Sequence, residues 1–164
     1  VDATIETNVT LTVNGTRVTR RVEPRTHLID FLREELGLTG SHVACEHGVC
    51  GACTVRVDGE IRRGCLTLAV QADGRSVDTV EGLSDSGELS VLQQAFHERN
   101  ALQCGYCTPG MLLTAQALIR EHPEATREEI REFLSGNLCR CTGYQAIIDA
   151  IETVLRTPRK ETIR

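Results

Sequence analysis

Eight cysteines in 164 residues hold most of the chemistry this sequence can perform. Cys45, Cys50, Cys53 and Cys65 are separated by four, two and eleven residues. A C-x4-C-x2-C run with a fourth cysteine further on is a spacing that wraps four thiolates around a 2Fe–2S cluster. Such a cluster is compact and anionic, so the chain must turn tightly about it. Gly48 and Gly51 stand where those turns are needed, and they let N–H donors come close to sulfur. Donors of that kind stabilise the reduced, more negative state and raise the potential.

The remaining cysteines are Cys104, Cys107, Cys139 and Cys141. Cys104-Gly-Tyr-Cys107 precedes a helix start, with Thr108 as a capping hydroxyl before Pro109. Free N–H groups at a helix start favour an adjacent anion, and a metal–thiolate centre is one. Cys139-Arg-Cys141 falls between two further predicted helices. Two pairs at helix junctions can meet inside a bundle, yet spacing alone leaves their ligand open. A disulfide framework is one alternative, although cysteines one or two residues apart make poor cross-links. Structural zinc is another. It suits Cys104-x2-Cys107, but C-x-C is an unusual second half for tetrahedral zinc, and the first set would still want iron. His27, His42, His47, His97 and His122 show no ligand spacing to one another and read as surface or packing residues.

The elements that must position these thiols fall into two halves. Val9–Val13 and Arg17–Val22 alternate around Asn14-Gly15, a hairpin signal. His27–Leu36 has Leu28, Phe31, Leu32 and Leu36 at helical spacing, with Gly37 as a stop. Thr54–Val57 and Glu60–Arg63 flank Asp58-Gly59, a second hairpin, and a short strand is predicted at Arg75–Val77. Strands wrapping one helix describe an α+β domain over residues 1–83. Glu81–Glu88 reads as a linker, rich in Gly, Ser and Asp. Residues 84–164 are helical in pattern. Helices are predicted at Ser90–Arg99, Met111–Glu121, the stretch that Thr126 and Glu129 cap as a box and Gly136 ends, and Tyr144–Arg156 with Pro158 as stop. The tail beyond Thr157 reads as loose.

Composition narrows the function classes. The formal charge is −5, and charged residues are interspersed, which argues against a nucleic-acid surface. No apolar run approaches a membrane span. Val1–Thr10 shows neither the basic nor the apolar region of a secretory signal, so a cytoplasmic location is expected.

Three motifs together carry a resemblance: Cys45-Glu-His-Gly-Val-Cys50-Gly-Ala-Cys53, Gln103-Cys-Gly-Tyr-Cys107-Thr-Pro-Gly110, and Gly136-Asn-Leu-Cys139-Arg-Cys141-Thr-Gly143-Tyr144. From about Val9 to Leu155 the chain resembles the small iron–sulfur subunit of the molybdenum hydroxylases, the xanthine dehydrogenase, aldehyde oxidoreductase and carbon monoxide dehydrogenase family. The resemblance implies a β-grasp, plant-type ferredoxin domain followed by a four-helix-bundle domain, each with one 2Fe–2S cluster. It implies Cys45, Cys50, Cys53 and Cys65 as ligands of one cluster and Cys104, Cys107, Cys139 and Cys141 as ligands of the other. Gln103 and Cys141 match positions that contact the pterin of a molybdenum–pterin cofactor on a large subunit. Arg140 either offsets cluster charge or bonds backbone, and Tyr106 reads as a packing residue. Electrons would pass from molybdenum through both clusters to FAD on a medium subunit, within a heterotrimer or a dimer of heterotrimers. The chain ends at Arg164 and carries no dinucleotide fingerprint or phosphate loop, so flavin, molybdenum and substrate sites are expected on partner chains. A free-standing ferredoxin is the alternative; it leaves the helical half without a purpose.

Overall fold

Asn14 and Gly15 take left-handed φ values of 47° and 79°, and Asp58 and Gly59 take 49° and 87°. Both hairpins therefore close through two-residue turns whose twist matches that of their strands. The computed structural model describes residues 5–84 and 87–157. Expectations about the linker residues Asp85 and Ser86, the stop at Pro158 and the loose tail lie outside the described residues.

The first hairpin joins β1 (Thr7–Val13) to β2 (Thr16–Val22), and the second joins β3 (Thr54–Val57) to β4 (Glu60–Arg63). β5 (Ser76–Asp78) lies between the hairpins, parallel to β1 and antiparallel to β3, giving the order β2-β1-β5-β3-β4. This mixed sheet folds around one short helical segment. α1 (Leu28–Asp30) runs directly into a π-helical turn, Phe31–Glu35. The predicted helix is thus shorter and wider than a regular one. A π turn narrows the angle between successive side chains, and Phe31 and Leu32 are both fully buried. They pack with Val9, Leu11, Leu28, Val55 and Val77. The β2 edge presents Arg17, Arg20 and Arg21 to solvent.

Two 3₁₀ turns, Ala69–Ala72 and Val80–Leu83, were not predicted. The second lies partly in the stretch read as linker, and Leu83 is buried in the helical core. That core is built by α2 (Val91–Glu98), α3 (Thr108–Glu121), α4 (Arg127–Leu134) and α5 (Gln145–Arg156). Ser90 caps α2 through a box with Gln93, and Thr126 caps α4 through a box with Glu129. Met111, Leu118, Ile130, Ile147 and Ile151 fill the centre at essentially zero exposure. Arg127 ties α4 to α5 through Asp149 (2.7 Å) and Glu152 (2.5 Å). Asp149, followed by Glu152, holds its guanidinium pKa above the ordinary value. α3 also packs on β3 and β4, where Arg56 reaches Asp78 (2.9 Å) and Gln116 of α3 (2.7 Å). Among the described residues, no helix is long and apolar enough to cross a membrane.

Candidate metal centres

Cys45, Cys50 and Cys53 lie on the loop that enters β3, and Cys65 follows β4. Gly48 and Gly51 have φ of 84° and 75°, the turns this loop needs. Space is short as well: a Cβ on Gly48 would lie 2.3 Å from Leu66 Cδ1. The turned backbone aims its own donors at sulfur. Cys50 N–H points to Cys45 Sγ at 3.4 Å, Ala52 N–H to Cys50 Sγ at 3.5 Å, and Cys65 N–H to Cys53 Sγ at 3.5 Å. Cys50 N–H, then the His47 backbone, draws the Cys45 thiol down to about 6. Burial, then the neighbouring Cys53 sulfur, pushes Cys65 up to about 11.

The second group is assembled differently. Cys107 stands at the N-cap of α3, and Thr108 lies inside the helix with no capping bond from its side chain. The expected Thr108 cap is thereby corrected: the helix begins one residue earlier, and Pro109, with no N–H to satisfy, fits its second position as well as the first. Burial, then Cys139, pushes the Cys107 thiol up to about 12. Cys139 Sγ receives the Thr142 hydroxyl (3.1 Å) and N–H (3.4 Å), while Cys139 N–H donates to the Tyr144 hydroxyl at 2.8 Å. Burial works against the Cys139 thiolate, but the Thr142 donors outweigh it and leave the pKa lowered. Cys141 and Cys104 are exposed, with sulfurs 3.6 Å apart, and that contact raises the Cys141 pKa.

Within each group the thiols are close enough to act on one another: the Cys104 and Cys141 sulfurs are 3.6 Å apart, Cys50 bears most directly on Cys45, Cys53 on Cys65 and Cys139 on Cys107, and Cys45 and Cys104 also act on Cys65 and Cys107. Among the described residues, no three or more His, Cys, Asp or Glu side chains gather where they could hold one metal ion. Four thiols to a group suit a binuclear centre in which each iron takes two. N–H and O–H donors to sulfur suit its negative charge. The residues present fit a 2Fe–2S group in each place.

Gln103 is exposed beside Cys104, and Arg140 is exposed between Cys139 and Cys141. Tyr106 does more than pack. It is 46% exposed, stacks on the His42 ring at 4.4 Å, accepts from His42 Nδ1 through its carbonyl (2.9 Å), and donates its hydroxyl to Val43 O (2.5 Å). The two cysteine loops also touch directly, since Leu138 N–H donates to Cys50 O at 2.8 Å. Sequence reasoning missed the parts played by Thr142, Tyr144, Asn137, Arg63 and His42. The first four stand within three residues of a cysteine, a signal of place that does not name their partners.

Residues 11–84 match the family described as 2Fe-2S iron-sulfur cluster binding domain, and residues 79–152 match the one described as 2Fe-2S binding domain. A caffeine dehydrogenase subunit gamma from a Pseudomonas species is 60% identical over 152 residues, 91% of each chain. The nicotine 6-hydroxylase small subunit of Paenarthrobacter nicotinovorans is 58% identical over 139 residues, 85% of this chain and 84% of that one. A chain in the crystal structure of quinoline 2-oxidoreductase from Pseudomonas putida aligns with a TM-score of 0.90 at 52% identity, covering 96% of this chain and 99% of that one.

Proposed function

Because the chain belongs to the small 2Fe–2S subunits of the molybdenum hydroxylases and is an electron-transfer subunit of such complexes, we propose that it wires a molybdenum–pterin centre on a large subunit to FAD on a medium subunit. Its ligands are Cys45, Cys50, Cys53 and Cys65 for one cluster and Cys104, Cys107, Cys139 and Cys141 for the other. A bound 2Fe–2S cluster takes up and returns one electron with no atom transferred.

The observation that carries this reading is the gathering of the eight thiols into two groups of four, with N–H and O–H donors aimed at sulfur in both and the Cys104 and Cys141 sulfurs 3.6 Å apart. Exposed apolar side chains stand next to cysteines of both groups. Val49 (57% exposed) and Leu66 (60%) flank the first group; Leu138 (50%) and Tyr106 flank the second. Exposed apolar side chains beside cysteine ligands suit docking to larger chains that exclude water. Cys141, which with Cys104 forms the exposed end of the second group, and Gln103, whose amide offers two donors and an acceptor, are the pterin-facing residues. Relatives named for caffeine, nicotine and quinoline act on nitrogen heterocycles, which supports a heterocycle as the substrate of the assembled enzyme.

Metal analysis and reduced-state EPR of the complex test the assignment. Two distinct 2Fe–2S signals, with large molybdenum and medium flavin chains co-purifying, are the expected outcome. One signal would favour a free ferredoxin. An oxygen-protected sample holding zinc and no iron would overturn the reading.

A further inference from the structure

We infer that Asn137, with Arg63, is a positioning residue that holds the two cysteine loops at one fixed separation and so sets the coupling between the two clusters. The inference rests on the cluster assignment proposed above.

Asn137 sits in the loop between α4 and Cys139, yet it is only 2% exposed. A buried amide is costly unless its donors and acceptor are used. Here they are used across both halves of the molecule. Asn137 Nδ2 donates to Gly51 O (3.1 Å) and lies 3.4 Å from Thr54 Oγ1. Its Oδ1 accepts from the Thr114 hydroxyl (3.1 Å) and from Arg63 (3.4 Å). Gly51 O can only accept, which settles which end of the amide faces it. Arg63 completes the bridge with its fork, one nitrogen donating to Gly136 O (2.6 Å) and the other to Thr54 Oγ1 (2.5 Å).

The backbones meet where this network forms. A Cβ on Gly51 would lie 2.7 Å from both Asn137 Cγ and Gly136 O, and one on Gly110 would lie 2.2 Å from Gly51 O. The Gly51 carbonyl is thus wedged between the first turn of α3 and the Asn137 amide. Gly51, Thr54, Arg63, Gly110, Gly136 and Asn137 each stand within three residues of a cysteine, and together they draw on both groups. The network lies beside the Leu138 N–H to Cys50 O bond, the direct backbone link between the loops. A general packing role would not require such placement. Locking two ligand loops together does.

The magnetic interaction between two reduced clusters falls with the cube of their separation, so it reads the spacing directly. The test uses the assembled enzyme, reduced with dithionite, and compares EPR splitting and cluster potentials. Iron-replete Asn137→Ala should lose or alter the inter-cluster interaction. Arg63→Lys, which keeps the charge but not the fork, should change it less and in the same direction. Ile151→Val, a core change in α5 remote from the network, should lower the melting temperature and leave the interaction unchanged. If Asn137→Ala fails to assemble, Arg63→Lys decides. An unaltered interaction in the iron-replete variants would overturn the inference, as would two non-interacting signals in the unsubstituted enzyme. An unsubstituted enzyme without two 2Fe–2S signals would overturn the cluster assignment itself and this inference with it.

Discussion

The two cysteine groups solve the same geometric problem with different means. In the first group three of the four cysteines are near neighbours on one loop, and backbone N–H groups supply the donors to sulfur. In the group around Cys104 and Cys139 the cysteines come from distant stretches, brought together by the packing of α3, α4 and α5. There a side-chain hydroxyl, Thr142, serves the sulfur, and another, Tyr144, pins the Cys139 backbone. Backbone donors alone serve the sulfurs of the first group, whereas in the second a side-chain hydroxyl adds to the Thr142 N–H. The exposure differs in the same sense, for Cys53 and Cys65 are buried while Cys104 and Cys141 are open.

The largest effect should come from cutting the open group. Cys141→Ala should halve the iron content, abolish electron delivery from the molybdenum chain and leave the EPR signal of the Cys45 group intact. Loss of both signals would mean the groups do not assemble independently. A glycine pair sharpens the contrast in stability. Gly105→Ala meets open space and carries only left-handed strain, about 1–2 kcal/mol. Gly51→Ala has the same strain plus contact with Asn137 and Gly136, so thermal unfolding should show a clearly larger loss. Thr142→Val tests the side-chain donor. Removing one hydrogen bond to sulfur, stronger to the reduced cluster by at most about 1 kcal/mol, should lower the potential of the second cluster by up to about 40 mV and leave the first unmoved in a redox titration.

The smallest effects lie away from both groups. Thr126→Ala should cost about 1 kcal/mol of stability through the lost α4 cap, with unchanged spectra. Thr126 N–H, then its hydroxyl, holds the Glu129 carboxyl below its ordinary value. A depressed carboxylate contributes stability above its unfolded value, about 4.3, and loses it as pH falls through the folded one. The Thr126→Ala penalty should therefore shrink in melts run in that acid range.

Local features of the fold were legible in the chain, and so were the four bundle helices. Asn14-Gly15 and Asp58-Gly59 announce their hairpins because few other pairs tolerate two left-handed residues. The helix predicted over His27–Leu36 missed the π turn, since Phe31 and Leu32 widen it to reach one core, a demand set by the sheet above them. The first cysteine group declared its chemistry through spacing alone. The second did not, because Cys107 and Cys139 meet only once helices pack. Asn137 was the least legible. Nothing in its neighbours announces a partner at Gly51, far back in the chain.

The outermost strand of the sheet has one more consequence. β2 leaves a row of backbone donors and acceptors open at the rim, a template on which another strand could zip. Arg17, Arg20 and Arg21 stud that rim, so two copies meeting there would bring like charges face to face. A chain that spends time alone before finding its neighbours is thereby protected from sticking to its own kind.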